Sequence, residues 1–409
     1  MKIGFLKKEV MKMRELVLMA PMQIKKHLGI GNIYDLVLCD FYTKARRSCG
    51  NETFFPLLIN VNGSPLEKLL AKDPSADVDK IVAELSNEAK RYGVDAIFVL
   101  RDDLDVKVKD LGVADTRCMA PVNECTKCGA IYGSDPGIQT CKHCGALTHY
   151  GKRPTLAINV RHSVMSRNFE RAQYIPSKVK NRLVDYAMSL PEEYSLVLEK
   201  RRRHTLQYEN FDLDPRFVAI GLLKVAEAKV GNAEKITCVC GDLVKKFLYY
   251  IFAYSNGKDS ILPNTIITHG TITDAEHKKL RWQDADGGFS PDVFGITGQE
   301  LRTFFITSSA MKNIVISKNS LLSNAIKMAR LSKRMESLML AGCSDTNIIS
   351  ELASRECSAF DEAIEKWRFP AAYKAVENFV NECERIQATR LLSAREHHSL
   401  NFFYNLYFQ

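Results

Sequence analysis

Four of the twelve cysteines fall in a pattern that can do chemistry: Cys125-x2-Cys128, twelve intervening residues, then Cys141-x2-Cys144. Two such hairpins close a tetrahedral thiolate cage of the kind that holds zinc, with bonds of about 2.3 Å. Each pair is followed by a glycine, Gly129 and Gly145, which lets the backbone turn tightly enough for its amides to face the sulfurs. All four positions are filled by protein, so the implied zinc is structural, fastening an insertion too small to hold its own core. Four unrelated buried thiols are the bland alternative, and this spacing argues against them. The other eight (Cys39, Cys49, Cys118, Cys238, Cys240, Cys343, Cys357 and Cys383) are scattered.

The elements that must position these residues follow from periodicity. The apolar run Glu15 to Pro21 predicts a buried strand, and a helix is expected from about Ile33 to Arg47. Thr53 to Ile59 predicts a second strand and Val94 to Leu100 a third. Between them Val78 to Tyr92 has helical period, with Ile81, Val82, Leu85 and Ala89 on one stripe. The pattern breaks near Val113. After the cysteine block, a strand is predicted at Thr155 to Val160, then polar helices over Pro176 to His204 and Phe217 to Val230. Strand Lys235 to Cys240, a helix from Asp242 to about Tyr254 and strand Thr265 to Gly270 resume the alternation. From Leu301 onward the chain reads as all-helical, with no proline between Pro291 and Pro370. Strands alternating with helices imply an α/β fold with a parallel sheet, here split by an insertion and trailed by a helical bundle.

The 409 residues correspond to two or three structural units at roughly 150 residues each. Charged residues at 26 % and hydrophobic ones at 46 % exclude wholesale disorder and fibrous repeats. No apolar run reaches the roughly 18 residues that span a bilayer. The first residues are broken by charge too often for a secretory leader. The expectation is a cytoplasmic protein with reduced thiols and no membrane partner. The net charge of +9, with a knot at Lys200-Arg201-Arg202-Arg203-His204, fits a phosphate-rich partner such as RNA, although a charge of that size is also an ordinary soluble surface.

Together, the split sheet, the four-cysteine knuckle and the trailing bundle resemble a class I aminoacyl-tRNA synthetase, most closely the methionyl-tRNA synthetase family. GIGNIYDLVLCDFYTKARR (Gly29 to Arg47) is similar without a gap to the family's HIGH-type motif and its helix. Glu52 to Glu67 lies on the strand and turn ending in a TDEHG-like stretch, and Leu262 to Asp284 on the strand and loop carrying KMSKS. Phe360 to Ile386 resembles a helix of the anticodon-binding bundle. The resemblance implies a Rossmann-like sheet in two halves, residues 1–114 and 166–308. Between them lies a connective insertion, 115–165, with the zinc knuckle, and after them a truncated anticodon-binding-like bundle, 309–409. It also implies ATP, an amino-acid-like substrate and transfer RNA as ligands.

The catalytic letters depart from the family. The gap-free register puts Gly29-Ile30-Gly31-Asn32 on HIGH, turning the two phosphate-facing histidines into Gly29 and Asn32. A register shifted by two residues, His27-Leu28-Gly29-Ile30, keeps one histidine. The KMSKS positions fall on Lys279, Leu280, Arg281, Trp282 and Gln283, so Lys279 keeps the first lysine and Arg281 stands beside the lost second. In the TDEHG-like turn the acid that holds the substrate's amino group becomes Asn60, and the histidine becomes Asn62. His269-Gly270 matches the family's His-Gly at the strand end. A further signature, GKDxxxFH, survives only as Gly241-Asp242-Leu243 with Phe247-Leu248. The resemblance thus makes Asn32, Lys279, His27 and Arg281 the candidate catalytic groups. Gly29, Gly31, Asn32, His269, Gly270 and Lys279 would bind nucleotide, and Asn60 and Asn62 substrate.

Donors aimed at developing charge contribute roughly 2.7–4 kcal/mol each to a transition state. Losing two or three slows adenylation by about 10⁴-fold or more. Ordinary charging of methionine transfer RNA is therefore not expected. Three functions fit: a repurposed enzyme that binds and joins or transfers an amino-acid-like substrate, a catalytically dead module that binds RNA or protein, and a diverged but true methionine–tRNA ligase. Trp367 and Phe369 are expected in the core, and the terminal Tyr404 to Gln409, YNLYFQ, resembles the remnant of a protease-cleavage tag.

Overall fold

The computed structural model describes residues 13–107, 117–134, 138–141, 144–159, 161–195, 206–208, 211–241, 248, 263–280, 291–346 and 348–408. Strand β1 (Arg14–Met19) is followed by the short β2 (Met22–Gln23) and helix α1 (Ile30–Ser48). Leu16, Val17 and Leu18 are fully buried because helices cover both faces of their sheet. The predicted strand 53–59 is two strands. β3 (Glu52–Phe54) pairs with β1, whereas β4 (Leu57–Asn60) pairs with β2 and with β5 (Val99–Arg101). The break falls at Phe55-Pro56, where proline has no N–H to give a ladder. Helices α2 (Ser64–Lys72) and α3 (Val78–Lys90) lie between β4 and β5. The Asp77 carboxylate caps α3 on the amides of Asp79 and Lys80, and all four expected stripe residues are buried. The predicted strand 94–100 shrinks to β5, in part because the Asp95 amide donates to the Asp40 carboxylate at 2.8 Å instead of to a neighbouring strand. β5 runs directly into the short helix α4 (Asp102–Asp105).

The insertion is built on β6 (Arg117–Cys125) and β7 (Thr148–Asn159), paired antiparallel. After α5 (His162–Arg171), β8 (Gln173–Ile175) returns to the edge of the main sheet. The predicted helix 176–204 is shorter: α6 covers Val179–Met188, and β9 (Glu193–Ser195) then joins β7. The basic knot at 200–204 lies outside the described residues. A small hairpin of β10 (Gln207–Tyr208) and β11 (Phe211–Asp212) precedes α7 (Pro215–Val230). This helix was expected to be polar, yet Phe217, Val218, Ile220, Leu222, Leu223 and Ala226 bury it against the sheet. β12 (Lys235–Gly241) and β13 (Thr265–His269) complete the sheet, whose order is β3-β1-β12-β13-β8 with every pair parallel. Of the helix expected over 242–254 only Leu248 is described, and it is helical. Between Gly241, which ends β12, and Leu248 the signature lies outside the described residues.

β14 (Ile272–Thr273) pairs with β15 (Ile314–Val315), an exception to the all-helical expectation after Leu301. The rest is α8 (Gly298–Thr307), α9 (Lys318–Leu340), α10 (Glu351–Glu365), α11 (Phe369–Gln387) and α12 (Ala394–Phe408), with β16 (Cys343–Ser344) and β17 (Leu392–Ser393) paired at one end. Buried polar contacts weld this bundle to the sheet domain. Arg302, 1 % exposed, reaches the Asp40 carboxylate at 2.8 Å and the carbonyls of Tyr92 and Gly93. Glu15 accepts from Tyr42 and Thr237 and faces Lys235 at 3.0 Å. Tyr42 in turn stacks on Trp367 at 4.3 Å. Trp367 and Phe369 are core residues. So is much of the terminal segment: Leu406 and Tyr407 are buried in α12, and Tyr407 meets Phe41 edge-on at 5.2 Å. As far as Phe408, YNLYFQ thus packs as the last turns of α12.

Candidate active site and metal centre

In an open parallel sheet, ligands bind beyond the carboxyl ends of the strands where the strand order reverses. Here that point lies between β1 and β12, and α1 begins at the same edge. Gly29 is its N-cap and offers no side chain to the first-turn amides. Asn32 follows, half-buried, and Gly31 is exposed with open space where a Cβ would be. A Cβ on Gly29 would stand 3.6 Å from Asn32 Oδ1 and 4.0 Å from Lys25 Nζ. The ammonium of Lys25 thus occupies the neighbourhood that a side chain at Gly29 would fill, and burial pulls its pKa down. Motif comparison missed Lys25, because it matches no motif letter. His27 is turned elsewhere: its Nδ1 lies 3.8 Å from Glu88 on α3, and the Leu28 amide donates to the same carboxylate at 3.0 Å.

One turn along α1, Asp35 receives the Nε2–H of His269 at 2.6 Å. The other ring nitrogen donates to the Gly270 carbonyl at 2.8 Å. Both nitrogens face acceptors, an arrangement that favours the protonated ring. Burial alone would lower its pKa, but the charge of Asp35 and the two hydrogen bonds raise it, against some opposition from Lys279. Tyr34 meets the ring edge-on at 4.8 Å. Gly270 is required by packing: a Cβ there would lie 2.2 Å from the Lys312 carbonyl oxygen. Beyond it, β14 leads into a turn closed by the Asp274 carboxylate on the Lys278 amide, and Lys279 is exposed at its end. Arg281 lies outside the described residues. Asp35, the partner of His269, was also missed by sequence reasoning; its acidic letter inside a helix gave no signal without the fold.

Asn60 and Asn62 are buried at the end of β4. Asn60 Oδ1 accepts the Asn62 amide at 3.0 Å, and its Nδ2 donates to the Pro215 carbonyl at 3.3 Å. Next to them Asp102, wholly buried, accepts the Val61 amide at 2.6 Å. Burial raises its carboxyl from the ordinary 3.8 to about 7, held back by the Val61 amide and the neighbouring Asn62.

The four cysteines of the insertion converge as their spacing requires. The sulfurs of Cys125, Cys128, Cys141 and Cys144 lie within 4.8 Å of one another. Gly129 and Gly145 take φ of +69° and +70°, and the amides of Lys127 and Cys128 point at Cys125 Sγ, 3.4 Å away. Those bonds, that from Cys128 first, favour the thiolate and lower its pKa. An all-sulfur tetrahedral donor set of this size suits zinc, and it leaves no position for substrate.

No family model and no curated protein sequence matches the chain. In three dimensions it is similar to class I aminoacyl-tRNA synthetases. Methionyl-tRNA synthetase of Mycobacterium tuberculosis bound by methionyl-adenylate matches with a TM-score of 0.65 at 11 % identity, over 96 % of this chain and 89 % of that one. A second structure of that enzyme with methionyl-adenylate gives 0.65 at 12 %, over 97 % and 88 %. A LeuRS of Agrobacterium radiobacter K84, in a ternary complex with tRNA and LeuAMS, gives 0.70 at 10 %, over 98 % and 84 %. Identities this low establish a synthetase-like fold. No helix among the described residues is long and apolar enough to cross a membrane.

Proposed function

We propose that the protein binds an amino-acid-like substrate at the carboxyl edge of its sheet and joins or transfers it, without charging transfer RNA in the usual way. The observation that carries this reading is the His269–Asp35 ion pair, 8 % and 13 % exposed, at the strand reversal beside the start of α1. A buried pair of charges is no economical filler for an abandoned cleft, since apolar residues of the same volume are commonly as stable or more so. Lys25 and Lys279 add two cations with no ion-pair partner among the described residues around the same edge, a setting for a phosphate or carboxylate group. Asn32 replaces an imidazole with a neutral hydrogen-bonding amide, so charge stabilisation on a departing pyrophosphate is weaker than in a charging enzyme.

A thermal-shift panel of amino acids and nucleotides tests this reading, because any ligand of the folded state raises the melting temperature by mass action. Stabilisation by at least one amino acid is expected. ATP–pyrophosphate exchange stimulated by methionine would instead mark a true ligase.

A second reading, an RNA-binding module, is favoured by a groove of about 400 Å³ between α9 and α11. Its polar lining includes Lys327, Arg330, Arg334, Tyr373 and Glu377, with Lys327 4.4 Å from the Tyr373 ring centre and 3.3 Å from the Glu377 carboxylate. Arg330→Glu with Arg334→Glu would then weaken transfer RNA binding and flatten its salt dependence. Unchanged binding in that double variant removes the groove from consideration. The Arg201–Arg203 cluster is the other basic candidate, to be tested by the corresponding glutamate triple variant.

A further inference from the structure

Taking the four cysteines of the insertion as a metal site, we infer that the Tyr132 hydroxyl belongs to that centre: it donates a hydrogen bond to the ligating sulfur of Cys141, fixes that ligand and raises the affinity for the metal.

The sulfurs already have the spacing of ligands. Those of Cys125 and Cys144 lie 3.5 Å apart, those of Cys128 and Cys141 3.6 Å, and those of Cys128 and Cys144 3.7 Å. A tetrahedron with bonds of about 2.3 Å has edges of about 3.8 Å, so the donor set has the size of a zinc cage. Four thiolates outweigh the charge of a divalent ion, and here Cys125 and Cys141 are both buried. Excess charge in such a place is costly unless donors meet the sulfurs, and those donors tune metal affinity. Cys125 Sγ receives the amides of Lys127 and Cys128. The amide of Ala130 serves Cys128, and that of Ala146 serves Cys144. Each of these donors lies in the same hairpin as its sulfur and follows from the local turn.

Tyr132 joins the two hairpins instead. Its hydroxyl oxygen stands 3.1 Å from Cys141 Sγ in a buried contact, reaching from the return segment of the first hairpin to a ligand of the second. The backbone on either side is held to β6: the Tyr132 amide donates to the Asn123 carbonyl at 2.9 Å, and the Asn123 amide to the Gly133 carbonyl at 3.0 Å. Around it Ala130, Ile138 and Ala146 make a small apolar cluster, too little to orient two hairpins without a staple. Between a thiol and a hydroxyl either group can donate. A metal-bound sulfur has given up its proton, so the hydroxyl is then the donor and the sulfur the acceptor. That bond is charge-assisted and about twice as strong as a neutral one. Metal binding therefore strengthens the contact, and by reciprocity the contact strengthens metal binding.

The test titrates cobalt(II) into the metal-free full chain, with zinc then competing for the site against a chelator. Tyr132→Phe keeps the ring and removes the hydroxyl. It should bind both metals about 10-fold or more weakly, and its sulfur-to-cobalt charge-transfer band should move to lower energy as the sulfur loses a donor. Protein made with 3-fluorotyrosine, whose more acidic hydroxyl donates more strongly, should move the band the opposite way without any change of sequence. Tyr150→Phe is the control: its hydroxyl donates to the Ser134 carbonyl in the same insertion, so affinity and band should match the wild type. A band that stays in place in both Tyr132→Phe and the fluorotyrosine protein, or an undiminished affinity in folded Tyr132→Phe, overturns the assignment while leaving the metal site standing. If the wild type binds neither metal, the metal site and the assignment fail together.

Discussion

His269, the last residue of β13, and Asp35, in the second turn of α1, meet at 2.6 Å across 234 residues of sequence. The contact joins the two halves of the split sheet, as the Glu15–Lys235 pair does between β1 and β12. Its partners carry a consequence for stability as well as for the site.

A histidine whose native pKa is raised stabilises the fold fully below the ordinary imidazole value and loses that contribution as pH climbs through the native one. Unfolding free energy from urea titrations should therefore fall on going from pH 6 into the alkaline range. Asp35→Asn should remove most of this slope and cost about 3–5 kcal/mol at pH 6, as breaking one side of a buried pair does. A variant that unfolds at the wild-type urea concentration would show that the pair is not held as described.

Asp102 predicts the same direction of pH dependence by a different route. A carboxyl raised to about 7 binds its proton more tightly folded than unfolded. The stability it brings is present below the ordinary carboxylate range and is lost as pH rises through 7. Asp102→Asn should consequently be more stable than wild type at pH 8, by up to about 4 kcal/mol, with little difference at pH 4. Differential scanning calorimetry at the two pH values checks the sign. A less stable variant at pH 8 would contradict it.

Elemental analysis should find about one zinc per chain, as one all-thiolate cage requires. Cys141→Ser should release it and speed amide hydrogen exchange across β6 and β7, while the parallel sheet keeps its protection. Metal-free protein with the insertion fully protected would remove zinc from the account.

Tyr407 is wholly buried against Phe41 and Tyr373. Tyr407→Ala should cost about 3–5 kcal/mol by chemical denaturation, the range for emptying a large aromatic site. A disposable tag would show a change within about 0.5 kcal/mol.

Some of this was legible in the chain because it depends on near neighbours. The four-cysteine cluster needs only two tight hairpins, and spacing with the following glycines specifies them. β1, α1, α3, β12 and β13 were readable because apolar period follows burial on one or both faces. Pro56 could have been read as a strand break, but an apolar run on both sides of it masked the signal. α7 appeared polar by its letters. The sheet decides which of its faces is covered, and it buries nearly all of the first three turns.

The site divides in the same way. Sequence alone put forward the glycines, Asn32, Asn60, Asn62, His269 and Lys279 as candidates, since these sit in linear order at the ends of elements. It could not show that His27 turns to Glu88, that Lys25 lies over Gly29, that Asp35 answers His269, or that Asp102 stands beside Asn60. Each of these pairs joins different elements, and strand order, register and helix placement bring them together. Charge and hydrogen-bonding partners are properties of distance in space, and the order of letters along a chain leaves that distance open until the sheet has formed.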